Sequence, residues 1–221
     1  MKKKDASLKY LFFPFLSTML IMIVLCAGCS TRVTGVKSSY SPNSPPIYTE
    51  SFHGSLTVSR IRIIDKRDME PTAYYKSFYT SNEANYDRNV SDIVGEALKT
   101  ELDRAGVGAQ KSANTSATTN GTTVRAQVLE YLAHVSRPTG FFLVSDVLDL
   151  KVSIRFRWID EDGKLLEENI RSEHVTRKLG VSNAPIMPTG SEQIEDYGKE
   201  LMNSVLPRVI EKEIRLNKVL K

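Results

Sequence analysis

The sequence contains few of the residues on which small disulfide-linked domains and metal sites depend. Only two cysteines occur in 221 residues, Cys26 and Cys29, and both lie near the start of the chain. No disulfide can therefore link the remainder, so that packing of apolar side chains must hold the fold together. The three histidines, His53, His134 and His174, are far apart in sequence, and we expect no zinc site.

The sequence also lacks a strong excess of charge and any motif of a catalytic site. Lys and Arg number 30 against 26 Asp and Glu, but residues 1–28 alone hold four lysines and one aspartate. The rest of the chain has 26 basic and 25 acidic residues, which does not favour a nucleic-acid partner. No nucleophile elbow, phosphate-binding loop or dinucleotide fingerprint is present. We therefore expect a protein that is not an enzyme.

An export signal occupies the start of the chain. The first nine residues carry four lysines, and the run from Leu11 to Leu25 contains no charge. A basic start, an apolar run and small residues at its end are typical of a signal peptide. A transmembrane helix is the alternative, but it needs about 20 apolar residues. This run is shorter and contains Pro14.

The signal ends in Ala27-Gly28-Cys29, which resembles the lipobox of bacterial lipoproteins, although Cys26 stands where that family prefers leucine. The resemblance implies that Cys29 receives a diacylglycerol on its sulfur, that the chain is cut before it, and that the new amine is acylated. No cofactor other than this covalent lipid is expected. Ser30 resembles the outer-membrane sorting signal, so we predict the periplasmic face of the outer membrane. Retention in the inner membrane is the alternative.

The remainder reads as a tether followed by one domain. Residues 29–54 are rich in serine, proline and threonine without an apolar period, which predicts a flexible tether. Residues 55–217 are long enough for a single α+β domain. It begins with a strand from Leu56 to Asp65, in which a change of phase predicts a bulge near Ser59. Residues 68–88 are predicted to be irregular.

A helix, three further strands and a closing helix follow. Apolar residues at helical spacing predict the first helix from Asn89 to Ala105, with Gly106 as its left-handed end. Alternation predicts the strands, and the closing helix should be kinked by Pro207. The predicted ranges are 123–136, 147–159 and 164–177 for the strands and 191–217 for the helix. This order favours a two-layer α+β sandwich, with a mixed or antiparallel sheet of about four strands and two helices on one face.

The same order resembles small bacterial lipoproteins of the YajG type. The resemblance covers residues 55–217 and rests on Asp65-Lys66-Arg67, on the helix end from Leu102 to Gly106, and on the Asp162-Gly163 hairpin. More distantly, the chain resembles the outer-membrane lipoprotein of lipopolysaccharide assembly, although it lacks the Cys-Gly-aromatic start of that family. Neither resemblance implies an enzymatic activity or a catalytic residue.

Two groups of residues are candidates for binding. The first is a basic sheet face, which could attract lipid phosphates; its alternative is a solvated face neutralised by Glu167 and other carboxylates. This candidate face consists of Arg125, Lys151, Arg155, Arg157 and Arg171. The second is an apolar hairpin tip with Phe141 and Phe142, which could touch a membrane or a partner protein, or fold back into the following strand.

These observations favour a non-enzymatic, lipid-anchored lipoprotein that faces the periplasm. We expect it to serve as an accessory or binding module in envelope assembly or lipid transport, with an envelope protein as its partner. The alternative function is direct binding of anionic lipid or lipopolysaccharide by the basic face. A periplasmic hydrolase is the least favoured hypothesis, and would need a nucleophile near His174. The sequence indicates no oligomeric state.

Overall fold

The computed structural model describes residues 30–36, 38–41, 58–67, 73–76, 81–108, 121–136, 145–181 and 191–220. In these residues seven strands form one mixed sheet. The strands are β1 (Ser30–Val36), β2 (Val58–Asp65), β3 (Ala73–Lys76), β4 (Ser81–Tyr86), β5 (Thr122–Ser136), β6 (Ser145–Ile159) and β7 (Leu165–Val181). The helices are α1 (Val90–Arg104), α2 (Ser191–Glu200) and α3 (Leu206–Leu216), with a π-helical segment, Leu201–Val205, between α2 and α3.

Strand β5 organises the sheet because both of its edges are paired. One edge pairs antiparallel with β6, which in turn pairs antiparallel with β7. The other edge is shared by two parallel strands, β2 along its first half and β3 along its last four residues. Strand β4 continues antiparallel to β3, and β1 runs parallel to β4. The parallel strands β2 and β5 are connected through α1, and the predicted α+β fold is confirmed.

The core lies between the helices and one face of the sheet. Alternate residues of β6 from Leu148 to Trp158 are at most 1% exposed, as the alternation of this strand predicts. They belong to one apolar cluster with the buried faces of α1, the π-helical segment and α3. Full burial of each large apolar side chain contributes about 1.5–3 kcal/mol. Packing in this layer therefore stabilises a domain whose sequence allows no disulfide.

The predicted bulge near Ser59 and the predicted left-handed residue at the end of α1 are both present. The register of β2 shifts between Val58 and Arg60, and the Ser59 hydroxyl donates to the Gly121 carbonyl at 3.1 Å. Gly106 has φ of 80°, the left-handed conformation that ends α1 at little cost only when no Cβ is present. Asn89 occupies the N-cap position, but its side chain makes no capping hydrogen bond.

The closing helix is interrupted just before Pro207. Proline has no N–H to donate and its ring crowds the carbonyl four residues earlier, so regular α-helical bonding cannot run through this position. The chain instead forms the π-helical segment, in which the Leu206 N–H donates to the Leu201 carbonyl.

Three strands fall where the sequence predicts no regular structure. Strands β3 and β4 lie inside the span predicted to be irregular, and β1 lies inside the predicted tether. They pair with partners remote in sequence, β1 with β4 and β3 with β5, which a local pattern cannot reveal. The core also extends beyond the predicted end of the domain, since Leu220 is buried. Residues 1–29, 37 and 42–54 of the predicted signal and tether lie outside the described residues.

Candidate functional site

The candidate site lies on the sheet face opposite the helices, which we call the open face. No helix or strand among the described residues covers it. The strand register places Arg62 of β2, Arg125 of β5 and Arg157 of β6 directly beside one another, and Glu168 of β7 ends this row. Neighbouring strands lie about 4.8 Å apart, so three guanidinium groups project from within about 10 Å of sheet.

The row of arginines is only partly neutralised. Arg157 Nε donates to Glu168 Oε2 at 2.8 Å, and Arg155 Nε lies 3.5 Å from the other oxygen of the same carboxylate. Arg62 and Arg125 are exposed, and neither forms an ion pair with any part of the chain that the structure describes. Like charges directly opposite one another on a sheet are destabilising. The row therefore opposes folding slightly and favours the approach of an anion.

The structure brings together four of the five basic residues that the sequence predicts for this face. Arg125, Arg155 and Arg157 lie in adjacent positions, with Arg155 opposite Gln127, while Lys151 lies further along β6 opposite Leu132. Sequence reasoning missed Arg62 and its neighbour Arg60 on β2. The signal was available, because both alternate with Ile61 and Ile63, of which Ile61 is buried and Ile63 packs against the core.

Arg171 does not belong to the open face, and this prediction was wrong. It pairs in register with Ile154, whose side chain is in the core, and therefore points toward the helices. Its Nε donates to Glu213 Oε2 of α3 at 2.8 Å. The predicted neutralising residue is corrected in the same way, because Glu167 shares the side of Arg171 and the carboxylate that pairs with Arg157 is Glu168.

An apolar patch adjoins the arginines along β7. Leu165, Leu166 and Ile170 are 49%, 43% and 51% exposed, and apolar residues grouped on a surface can mark a contact site. Ile170 lies directly opposite Arg155 on β6. The open face therefore offers cationic and apolar groups side by side, which suits an anionic amphiphile or an acidic protein surface with apolar residues.

A cluster of His174, Asp149 and Thr176 also lies on the open face. His174 Nε2 is 3.0 Å from both Asp149 Oδ1 and Thr176 Oγ1, and the Thr176 hydroxyl donates to Asp149 Oδ1 at 2.6 Å. Burial acts to raise the pKa of Asp149, but the hydrogen bonds from Thr176 and His174 outweigh it and hold this pKa below its usual value. In a hydrolytic triad the nucleophile and the carboxylate contact opposite nitrogens of the imidazole. Here both contact the same nitrogen, which does not support the hydrolase hypothesis.

Neither a metal cluster nor a membrane-spanning helix occurs in the part of the chain that the structure describes. Its residues include no group of three or more His, Cys, Asp or Glu that could hold a metal ion. Among the same residues, no helix is both long enough and apolar enough to cross a bilayer. The predicted apolar tip with Phe141 and Phe142 lies outside the described residues, as does Cys29.

Comparisons with known proteins find similar solved structures but no matching protein family. No protein-family model matches the sequence, and no curated protein matches it. A minor lipoprotein of Acinetobacter baumannii aligns at 15% identity over 72% of this chain and 94% of that one, with a TM-score of 0.36. The hypothetical protein CT253 of Chlamydia trachomatis aligns at 13% identity over 73% and 95%, with a TM-score of 0.40. Lipoprotein GNA1162 of Neisseria meningitidis aligns at 14% identity over 67% and 96%, with a TM-score of 0.30.

These similar structures thus include bacterial lipoproteins. At such identities and TM-scores they assign neither a family nor an activity to the chain. The resemblance to YajG-type lipoproteins and to the lipoprotein of lipopolysaccharide assembly stays a prediction.

Proposed function

We propose that the protein is a non-enzymatic lipoprotein, anchored through Cys29 at the periplasmic face of the outer membrane. It serves there as an accessory or binding module in envelope assembly or lipid transport. The observation that carries the proposal is the row of Arg62, Arg125 and Arg157. Two of these arginines lack a carboxylate partner among the described residues, and such a row costs stability unless an anionic partner occupies it. The lipobox-like ending at Cys29 supports the anchor.

Position-dependent crosslinking in cells tests the binding module. A photo-crosslinking residue at Gln127, on the open face between the arginines, is expected to capture one envelope protein. The same residue at Asp103, exposed on α1 at the opposite side of the sheet, is the matched control and should capture none. The capture should also be lost in the double variant Arg62→Glu/Arg125→Glu. Equal products from both positions, or adducts of lipid alone from Gln127, would count against a protein partner.

The second candidate function is direct binding of anionic lipid or lipopolysaccharide by the open face. It is favoured by the exposed Leu165, Leu166 and Ile170 next to Arg155 and Arg157. A phosphate-bearing lipid offers a negative headgroup for the arginines and acyl carbon for the apolar patch, whereas a free phosphate would use only the first.

Charge reversal gives a quantitative test of this second function. In the chain without its lipid (residues 30–221), Arg62→Glu/Arg125→Glu should weaken binding to vesicles that contain phosphatidylglycerol by at least about 30-fold. Each basic residue near such a surface contributes about 1 kcal/mol, and two of them account for that factor. Lys99→Glu/Arg215→Glu makes the same change of net charge on α1 and α3 and should leave most of the affinity. Equal losses in the two variants would indicate non-specific attraction.

A further inference from the structure

Tyr40 connects the segment after the predicted signal to the helical layer through a buried hydrogen bond. Its side chain is buried, and its hydroxyl donates to Glu101 Oε1 at 2.7 Å. Glu101 is fully buried in α1 and also pairs with Arg104 at 2.5 Å. A buried carboxylate needs such donors, so this contact ties residue 40 to the core.

Two further contacts hold the same segment on either side of Tyr40. The Ser38 N–H and hydroxyl donate to Asp87 Oδ1 at 3.1 and 2.6 Å, and the Ser41 N–H donates to Asn203 Oδ1 at 3.0 Å. The partners are 49 and 162 residues away in sequence. Residues 38–41 are therefore part of the tertiary structure, although they lie in the span for which the sequence predicts a tether.

Strand β1 extends this attachment up to the predicted lipid. Its first residue, Ser30, is in register with Ser81 of β4, and Ser30 directly follows Cys29 in the sequence. No spacer then separates the lipidated residue from the first paired residue of the sheet.

The register also identifies which end of the sheet carries this residue. Ser30 is level with Ser81, Ser81 with Lys76, and Lys76 with Ser136. We call this the anchor end; β5 and β7 finish there, since Lys178 of β7 is paired with Val147 at the start of β6. The turn at residues 160–164 lies at the opposite end, where β6 finishes and β7 begins.

The turn at the opposite end is unsuited to contact with a bilayer. It reads DEDGK and is exposed through residues 161–164. Acidic residues do not partition into a lipid interface, so this turn is expected to lie away from the membrane.

We propose that residues 30–36 and 38–41 hold the domain against the bilayer in one orientation, with the anchor end toward the lipid surface and the 160–164 turn away from it. The inference rests on the lipidation of Cys29 in the proposed function. A flexible tether over residues 29–54 would have a mean span of about 25–30 Å, enough to let the domain rotate freely. Because β1 starts at Ser30, the anchor end stays next to the membrane. The strands then run away from the membrane, and the open face is perpendicular to the membrane plane.

Site-specific labelling of the lipidated protein tests the orientation. The chain has no cysteine after Cys29, so Lys178→Cys and Glu161→Cys each provide a single thiol for a fluorophore. Both positions are exposed, and they lie about 45 Å apart along β7 because a strand rises about 3.3 Å per residue. In phosphatidylcholine vesicles with headgroup-nitroxide lipid, quenching should be at least fivefold stronger at position 178 than at position 161.

A matched spacer variant separates orientation from simple proximity. An insert of Gly and Ser residues between Ser30 and Thr31, as long as the predicted tether, leaves residues 38–41 in place but detaches the lipid from the sheet. It should bring the quenching at positions 178 and 161 to within about twofold of each other, because such an insert spans about 25–30 Å. Equal quenching without the spacer, in protein whose Cys29 lipid is confirmed by mass spectrometry, would overturn this inference alone. An unmodified thiol at Cys29 would overturn the proposed function and the orientation together.

Discussion

Glu213→Ala is expected to lower the free energy of unfolding by about 3–5 kcal/mol, because it removes one partner of a buried ion pair. Glu213 is fully buried between α3 and the sheet. Its Oε2 accepts from Arg171 Nε at 2.8 Å, and its Oε1 accepts from Trp158 Nε1 at 2.8 Å and from Asn217 Nδ2 at 2.9 Å. Alanine would leave the guanidinium of Arg171 without its counter-charge and two further donors without an acceptor.

Urea unfolding of the chain from residue 30, followed by circular dichroism and by the fluorescence of Trp158, measures this effect. Trp158 is the single tryptophan of the sequence, and Phe156→Leu, a core substitution on the same face of β6, calibrates the cost of lost packing alone. Glu213→Gln keeps an acceptor for Trp158 but removes the charge, and should fall between the wild type and Glu213→Ala.

The double variant Glu213→Leu/Arg171→Met distinguishes a paired charge from lost volume. Replacing both members of a buried ion pair by apolar residues of similar size is often neutral, so the double variant should regain most of the stability that Glu213→Leu alone loses. The loss would not come from the unpaired charge of Arg171 if adding Arg171→Met to Glu213→Leu brought no recovery, or if Glu213→Ala cost less than about 1 kcal/mol.

The parts of the fold that the sequence predicts are those in which one face differs chemically from the other. In β6, apolar and polar residues alternate without error from Leu148 to Trp158, and the burial follows this pattern closely. In α1 the apolar stripe and Gly106 likewise place both the buried face and the helix end. The bulge at Ser59 followed from a conflict of phase between two pairs of apolar residues, which only an extra residue resolves.

Strand β7 shows why the prediction of the basic face was incomplete. Its residues that face the helices include Glu167, Arg171 and Glu173, which are as polar as those on the open face. A strand with two polar faces does not reveal its register, and a slip of one residue exchanges its faces. The sequence pattern therefore predicts the wrong side of the sheet for Arg171. Glu213 was missed for the related reason that a glutamate on a helix reads as a solvent-exposed residue unless its buried partners are known.

The N-terminal segment shows a second limit of local patterns. Residues 30–41 have the composition of a linker, rich in Ser and Thr, and nothing in their period predicts a strand. Their position is decided by distant partners, Ser81 for Ser30 and Glu101 for Tyr40. A segment can thus lack any apolar pattern and still be fixed, when backbone pairing and a few hydrogen bonds to buried groups take the place of apolar burial.

Cys29→Ala is expected to remove the protein from the outer-membrane fraction. The lipobox resemblance implies that the sulfur of Cys29 carries a diacylglycerol, and alanine offers no atom to which it could be attached. Each buried methylene contributes about 0.8 kcal/mol, and two or more acyl chains make attachment stable, so that no surface residue can compensate for their loss. Intact mass spectrometry of the purified native protein should show residues 29–221 with the added mass of the lipid.

Cys26→Leu is the control, because it removes the other thiol of the sequence and places leucine where the lipobox family prefers it. It should leave the mature mass and the membrane fraction unchanged, whereas Cys29→Ala should abolish the lipid mass. A native protein that keeps residues 1–28 or a free thiol at Cys29 would contradict the anchor, as would a Cys26→Leu variant that loses the lipid. The position of the signal cleavage also decides whether β1 is complete. Pairing with β4 begins at Ser30, so cleavage before Cys29 leaves the strand whole, while cleavage a few residues later would remove the part that joins lipid to sheet.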